Sequence, residues 1–194
     1  MSKILDMMGV ENLKNVRALT FTALLAALTI VGDLLPRIIL VPGIIEIRFG
    51  FIFLAVIAFL FGPVFGFVAG IITNLIAFLL LPGGDFNPIY DLLKGLEGIF
   101  YAAFLYKKNF KSEYFIIWIV VARLHVNVIC NMIIRTYILI QTGRLPNEII
   151  TIISLRVVPN VARLPIDIIL LFTILMVVAK IAQQYKFINL KSNK

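Results

Sequence analysis

The cations of this chain are of two kinds, and they fall in different places. Lysines gather near the chain ends and in the Lys107–Lys111 run. Arg37, Arg48, Arg144 and Arg156, with Arg163 a little further on, instead flank or interrupt apolar segments. Either residue can mark one side of a membrane. A planar guanidinium is preferred where a carboxylate must be held by two parallel hydrogen bonds in a partly dry site. As a group these arginines point to capture of an anionic or heteroaromatic ligand. Singly, each also fits contact with lipid phosphate or pairing with Asp33, Glu46 or Glu148.

Other polar groups sit inside apolar runs, where charges are costly and usually mark an interior path or site. Asn127, Asn131 and Arg135 recur every four residues, which on a helix makes one polar stripe. Arg135 and Tyr137, toward the end of that run, are candidate ligand contacts. Lys94 and Glu97, three apart, share a face and can neutralise each other. Asp167 follows Arg163 by four residues and can pair with it or with Arg156. His125 has no Cys, His or carboxylate at ligand spacing, so no metal site is expected. No HExxH, GxSxG, Walker loop or aspartate cluster occurs, so the chain reads as a non-enzyme with no cofactor of its own.

The elements that must carry these groups are apolar helices. Between Arg48 and Pro82 there is no charge, and the segment is apolar on all sides rather than along one stripe. Gly62-Pro63 breaks it once, because proline cannot donate the hydrogen bond an unbroken helix needs. Two short spans forming a hairpin through a membrane follow. Hydrophobic residues make up 61% of the chain and charged residues only 14%, and mean hydropathy is +1.04. Soluble domains carry about a quarter charged residues. The reading is an all-α membrane protein, one integral domain over residues 1–194 with six spans. These are placed at 16–35, 48–62, 64–81, 89–106, 114–140 and 157–182. Residues 36–47, with Pro36 and Pro42, read as an apolar loop, and the stretch holding Arg144, Glu148 and Arg156 reads as a long loop.

Six spans put both termini, the Gly62-Pro63 turn and the Lys107–Lys111 loop on one side. The lysines concentrated there make it cytoplasmic by the positive-inside rule, with the chain multi-pass in the plasma membrane. A net charge of +8 could suggest nucleic acid. Single-strand binding needs basic and aromatic residues interleaved in one groove, and here most aromatics lie within apolar runs. The lone Cys130 allows no intrachain disulfide. The polar N-terminus shows no cleavage pattern, so the first span is expected to stay. In that span Ala23 and Ala27 lie one turn apart, a spacing that lets another helix approach closely.

Two strings in this sequence carry a resemblance. FGFIFLAVIAFLFGPVFGFVAG resembles the second and third helices of substrate-binding S components of energy-coupling-factor (ECF) vitamin transporters, nearest the folate family. LRVVPNVARLPIDIILL is similar to that family's Arg-x-x-Lys-Asn followed by Leu-Pro-Ile-Glu, with Arg156, Asn160 and Leu164 to Ile166 on the pattern and Asp167 as the acid. Pro159 stands where the family has lysine, Phe53 departs from its Ile-Pro, and RTYILI replaces its Asn-Thr-Leu-Trp-Leu-Ser run. Arg135 would then supply the cation missing at Pro159.

The resemblance implies a six-helix S-component bundle binding a vitamin, folate first, from outside. A pterin-like ring would stack on Phe86 and Tyr90, and carboxylates would meet Arg37, Arg135 or Arg156. Asn160 and Arg163 would complete the pocket, and Ala23 and Ala27 would dock on the energising module. That module comprises one transmembrane coupling protein and two cytoplasmic ATPases. Other readings stay open. Riboflavin or pantothenate could replace folate. A polytopic membrane enzyme would need Glu97, His125 and Asp167 to converge, and a structural subunit would use its arginines only on a partner.

Overall fold

A computed structural model describes residues 8–10, 13, 15–35, 38–41, 45–47, 49–80, 86–146 and 148–184. Among them six helices make the fold: α1 Val16–Leu34, α2 Gly50–Phe61, α3 Pro63–Leu80, α4 Pro88–Leu105, α5 Phe115–Gln141 and α6 Ile149–Gln184. One short antiparallel pair, β1 Ile38–Val41 and β2 Ile45–Ile47, connects α1 to α2. It occupies the segment read above as a loop. Ile38 pairs with Ile47, and a bulge falls between Ile39 and Val41. β-branched residues in short runs bounded by proline in the sequence suit a hairpin better than a helix.

Helix α2 is the hub. Eleven of its twelve residues are buried, which is why its sequence is apolar all round. Twelve residues rise only about 18 Å, too short to cross a hydrocarbon core of about 30 Å unaided. Its environment is therefore largely other helices, with α1, α3, α4 and α6 packed around it. Four helices, α1, α3, α5 and α6, are long and apolar enough to cross a membrane by length and composition. Helix α4 has the length, but Asp91, Lys94 and Glu97 lie along its buried side.

Local chemistry sets the ends. Asn15 and Asn87 cap α1 and α4 by accepting hydrogen bonds from the backbone N–H of Arg17 and Ile89 at 3.0 Å. Pro88 takes the first position of α4, where its missing N–H costs nothing. Gly62 turns the chain between α2 and α3 at φ +98°, a conformation that favours glycine. A side chain there would also meet the Tyr106 ring.

Helices α3 and α4 approach through glycines. A Cβ on Gly98 would sit 2.2 Å from the Gly66 carbonyl oxygen, and one on Gly70 would sit 2.4 Å from that of Lys94. This small-residue seam packs the bundle. Ala23 and Ala27 on α1, by contrast, are exposed.

Helices α5 and α6 are not regular. Val126–Ile134 in α5 and Ile153–Val157 in α6 are π-helical, with wide i→i+5 turns. Helix α6 starts at Ile149, so Arg156 lies within a helix rather than in the loop assigned from the sequence. Pro159 looks like a stop because its ring clashes with the carbonyl four residues earlier. A π-helical turn lies immediately before it, and the helix continues.

Candidate functional site

The two π-helical stretches meet. Asn127 Nδ2 donates to the Asn160 carbonyl at 3.0 Å, and Arg156 Nη2 donates to the Asn131 carbonyl at 2.9 Å. Arg156 Nε donates to Thr136 Oγ1 at 3.2 Å. Asn160 Nδ2 in turn donates to the Arg156 carbonyl at 2.6 Å, and Arg163 Nη2 donates to Asn160 Oδ1 at 3.2 Å. Wide turns shift the carbonyls out of the regular ladder, and side-chain amides fill in; Asn131 Nδ2 reaches the Val126 carbonyl at 3.4 Å. Both π-helical stretches are thereby tied together by polar side chains in the bundle interior. Such turns are rare and recur at functional sites.

Below this seam sits a tight ionic cluster. Arg123, only 2% exposed, donates to Tyr101 Oη at 2.7 Å and to Asp167 Oδ2 at 2.5 Å. Its guanidinium also lies 4.1 Å from the Phe51 ring centre. Arg163 Nε approaches the same Asp167 oxygen at 3.0 Å. One carboxylate thus holds two guanidiniums and joins α5 to α6.

A second, looser chain of charges runs across the bundle. Lys94 Nζ lies 3.4 Å from Asp33 Oδ2 on α1 and 3.8 Å from Glu97 Oε2. Glu97 Oε1 lies 3.6 Å from Arg135 Nη2 on α5. All three separations are longer than the usual N–H···O distance of about 2.7–3.2 Å. Nearby, Asn74 Nδ2 donates to Asp91 Oδ1 at 2.7 Å, tying α3 to α4.

Arg156 differs from these cations. Among the described residues no carboxylate pairs with it, and its side chain donates to a hydroxyl and a carbonyl oxygen. It is half-buried, so its charge is neither neutralised by protein nor fully hydrated. Among the buried side-chain atoms that make no hydrogen bond are Tyr90 Oη and Asn127 Oδ1.

The structure brings Arg156, Asn160 and Arg163 together on α6 and sets Arg135 on the facing helix α5. Tyr90 lies on α4 beside Leu93, Cys130 and Ile138. Phe86 is exposed and stacks obliquely on Phe78, ring centres 5.4 Å apart. Tyr137 is not drawn in: it is 63% exposed, and two residues from Arg135 it points to a different side of α5. Arg37 lies outside the described residues. The expected Asn127–Asn131–Arg135 stripe assumed a regular helix. With wide turns between them, Asn127 instead contacts α6 and Arg135 turns to Glu97 on α4. Sequence reasoning missed Arg123, Tyr101 and Thr136, whose partners lie 44, 22 and 20 residues away and leave no spacing signal.

Glu97, His125 and Asp167 do not converge. Glu97 belongs to the loose chain and Asp167 to the tight cluster. His125 Nδ1 is 2.9 Å from the Val121 carbonyl of its own helix, and its ring packs on Phe104 at 4.6 Å.

A bundle with apolar helices long enough to cross a membrane and a polar seam between two distorted ones defines a membrane-embedded protein. The crystal structure of FolT bound with folic acid shares the fold at a TM-score of 0.70, with 22% identity, covering 81% of this chain and 93% of that one. No curated protein matches the sequence. The sequence model of the family described as ECF-type riboflavin transporter, S component, matches residues 13–183. The chain belongs to this S-component family. It is thus a vitamin-binding subunit of an ECF transporter, works with an energising module, and is not an enzyme.

Proposed function

We propose that this subunit captures folate at the outer face of the plasma membrane, with both termini cytoplasmic. The observation that carries the reading is Arg156, a half-buried guanidinium with no carboxylate partner among the described residues. Folate ends in a glutamate with two carboxylates, and a guanidinium in a partly dry site is suited to one of them. Arg135, Arg163 and Arg37 are the further cations of this reading, and Phe86 and Tyr90 its ring contacts. Asn160 accepts from the Arg163 guanidinium and donates to the Arg156 backbone carbonyl. The exposed Ala23 and Ala27 suit close approach by a helix of the module's transmembrane coupling protein, which two cytoplasmic ATPases would drive.

A second reading, riboflavin, is favoured by the name of the matching family. The unpartnered Tyr90 Oη and Asn127 Oδ1 also suit a neutral heteroaromatic ring. Calorimetric titration of folic acid and riboflavin into the purified chain separates the two. Saturable folate binding that riboflavin does not displace supports the first reading. Riboflavin binding without folate binding, with a flavin spectrum on the purified protein, replaces it by the second.

A further inference from the structure

We propose that the loose chain Asp33–Lys94–Glu97–Arg135 reports occupancy of the outer pocket to the end of α1, the helix that presents Ala23 and Ala27. The inference rests on the functional reading in one respect, that an anionic ligand group engages Arg135. Glu97 is shared by Lys94 and Arg135, and Lys94 is shared by Glu97 and Asp33. Each contact, at 3.4 to 3.8 Å, is too long to be a committed hydrogen bond. Sharing of this kind makes the middle cation responsive to its neighbours. An anion on Arg135 competes with Glu97 for that guanidinium. Glu97, 4% exposed at its side chain, then depends on Lys94 and draws it from Asp33.

Asp33 keeps a second neighbour when Lys94 withdraws. Its carboxylate lies against Gly50, the first residue of α2, and a Cβ on Gly50 would overlap it. A helix N-terminus stabilises a carboxylate. Asp33 thus stands between Lys94 and the start of α2: with Lys94 in place it ties α1 to α4, and when Lys94 is drawn away that tie loosens while Asp33 keeps its place beside α2. Glu97 is the positioning residue between the pocket and α1.

Hydrogen exchange at the last turn of α1 reads the tie, where the Leu35 N–H donates to the Val31 carbonyl at 2.8 Å. The Gly62 amide, bonded to the Ala58 carbonyl at the other end of α2, is the internal control. Arg135→Gln mimics loss of the Arg135–Glu97 contact without any ligand. It is expected to raise Leu35 exchange several-fold and to leave Gly62 unchanged. In a Lys94→Met background, exchange is already raised and Arg135→Gln adds nothing. Folic acid added to the unmodified chain is expected to reproduce the Arg135→Gln effect. Unchanged Leu35 exchange in Arg135→Gln overturns the chain as a device whatever binds. Calorimetrically confirmed folate binding with no change at Leu35 overturns the link to ligand. Absence of folate binding alongside the Arg135→Gln effect overturns the folate reading and leaves the device standing.

Discussion

The two ionic groups of this bundle use similar residues and are built differently. Arg123, Asp167 and Tyr101 are joined by hydrogen bonds of 2.5 and 2.7 Å, and all three are buried. Asp33, Lys94, Glu97 and Arg135 are joined only by contacts of 3.4 to 3.8 Å, and Arg135 keeps 29% of its side chain exposed. A buried charge left unpaired is heavily penalised, so the first group fixes the relation of α4, α5 and α6. The second exchanges partners at small cost. One locks the frame of the bundle, and the other is free to exchange partners.

That contrast predicts unequal responses to mutation. Asp167→Asn leaves Arg123 and Arg163 without their shared carboxylate and should destabilise by about 3–5 kcal/mol, read as a large fall in the thermal midpoint in detergent. Gly98→Val pushes against the Gly66 carbonyl across the α3–α4 seam. Overpacking of this kind should cost about 1–3 kcal/mol in the same assay. Glu97→Gln removes only long contacts, and Lys94 keeps Asp33, so about 1 kcal/mol is expected. A Glu97→Gln loss equal to that of Asp167→Asn would erase the distinction between the groups. The smallest effect is that of Tyr137→Ala: with an exposed side chain turned from Arg135, folate affinity should stay within experimental error of the unmodified chain.

What could be read in advance follows the range of the physics. The Gly62-Pro63 turn is local chemistry, and the helix break falls there. The apolar character of α2 announces burial on all sides, and the structure buries it. The small-residue reading picked Ala23 and Ala27, which are exposed, while Gly66 and Gly70 against Gly95 and Gly98 form the internal seam. Spacing shows that a face is narrow, not what covers it. The sequence reading puts Arg156 in a loop and starts the sixth span at 157, whereas the helix starts at Ile149, because hydrogen-bond ring size leaves no mark in an apolar pattern. Arg123 illustrates the same limit at long range. Its neighbours Tyr101 and Asp167 are on other helices, so only the folded bundle makes a cluster of them.

The central claim is that Arg156 is an anion-binding cation rather than a structural one. Folate affinity measured by titration of the unmodified chain, Arg156→Lys and Arg156→Ala tests it most directly. The account predicts partial retention in Arg156→Lys and a loss of about tenfold to hundredfold in Arg156→Ala, with a fall in thermal midpoint, from the two lost α5–α6 hydrogen bonds, smaller than that of Asp167→Asn. Folate affinity indifferent to both substitutions would contradict it.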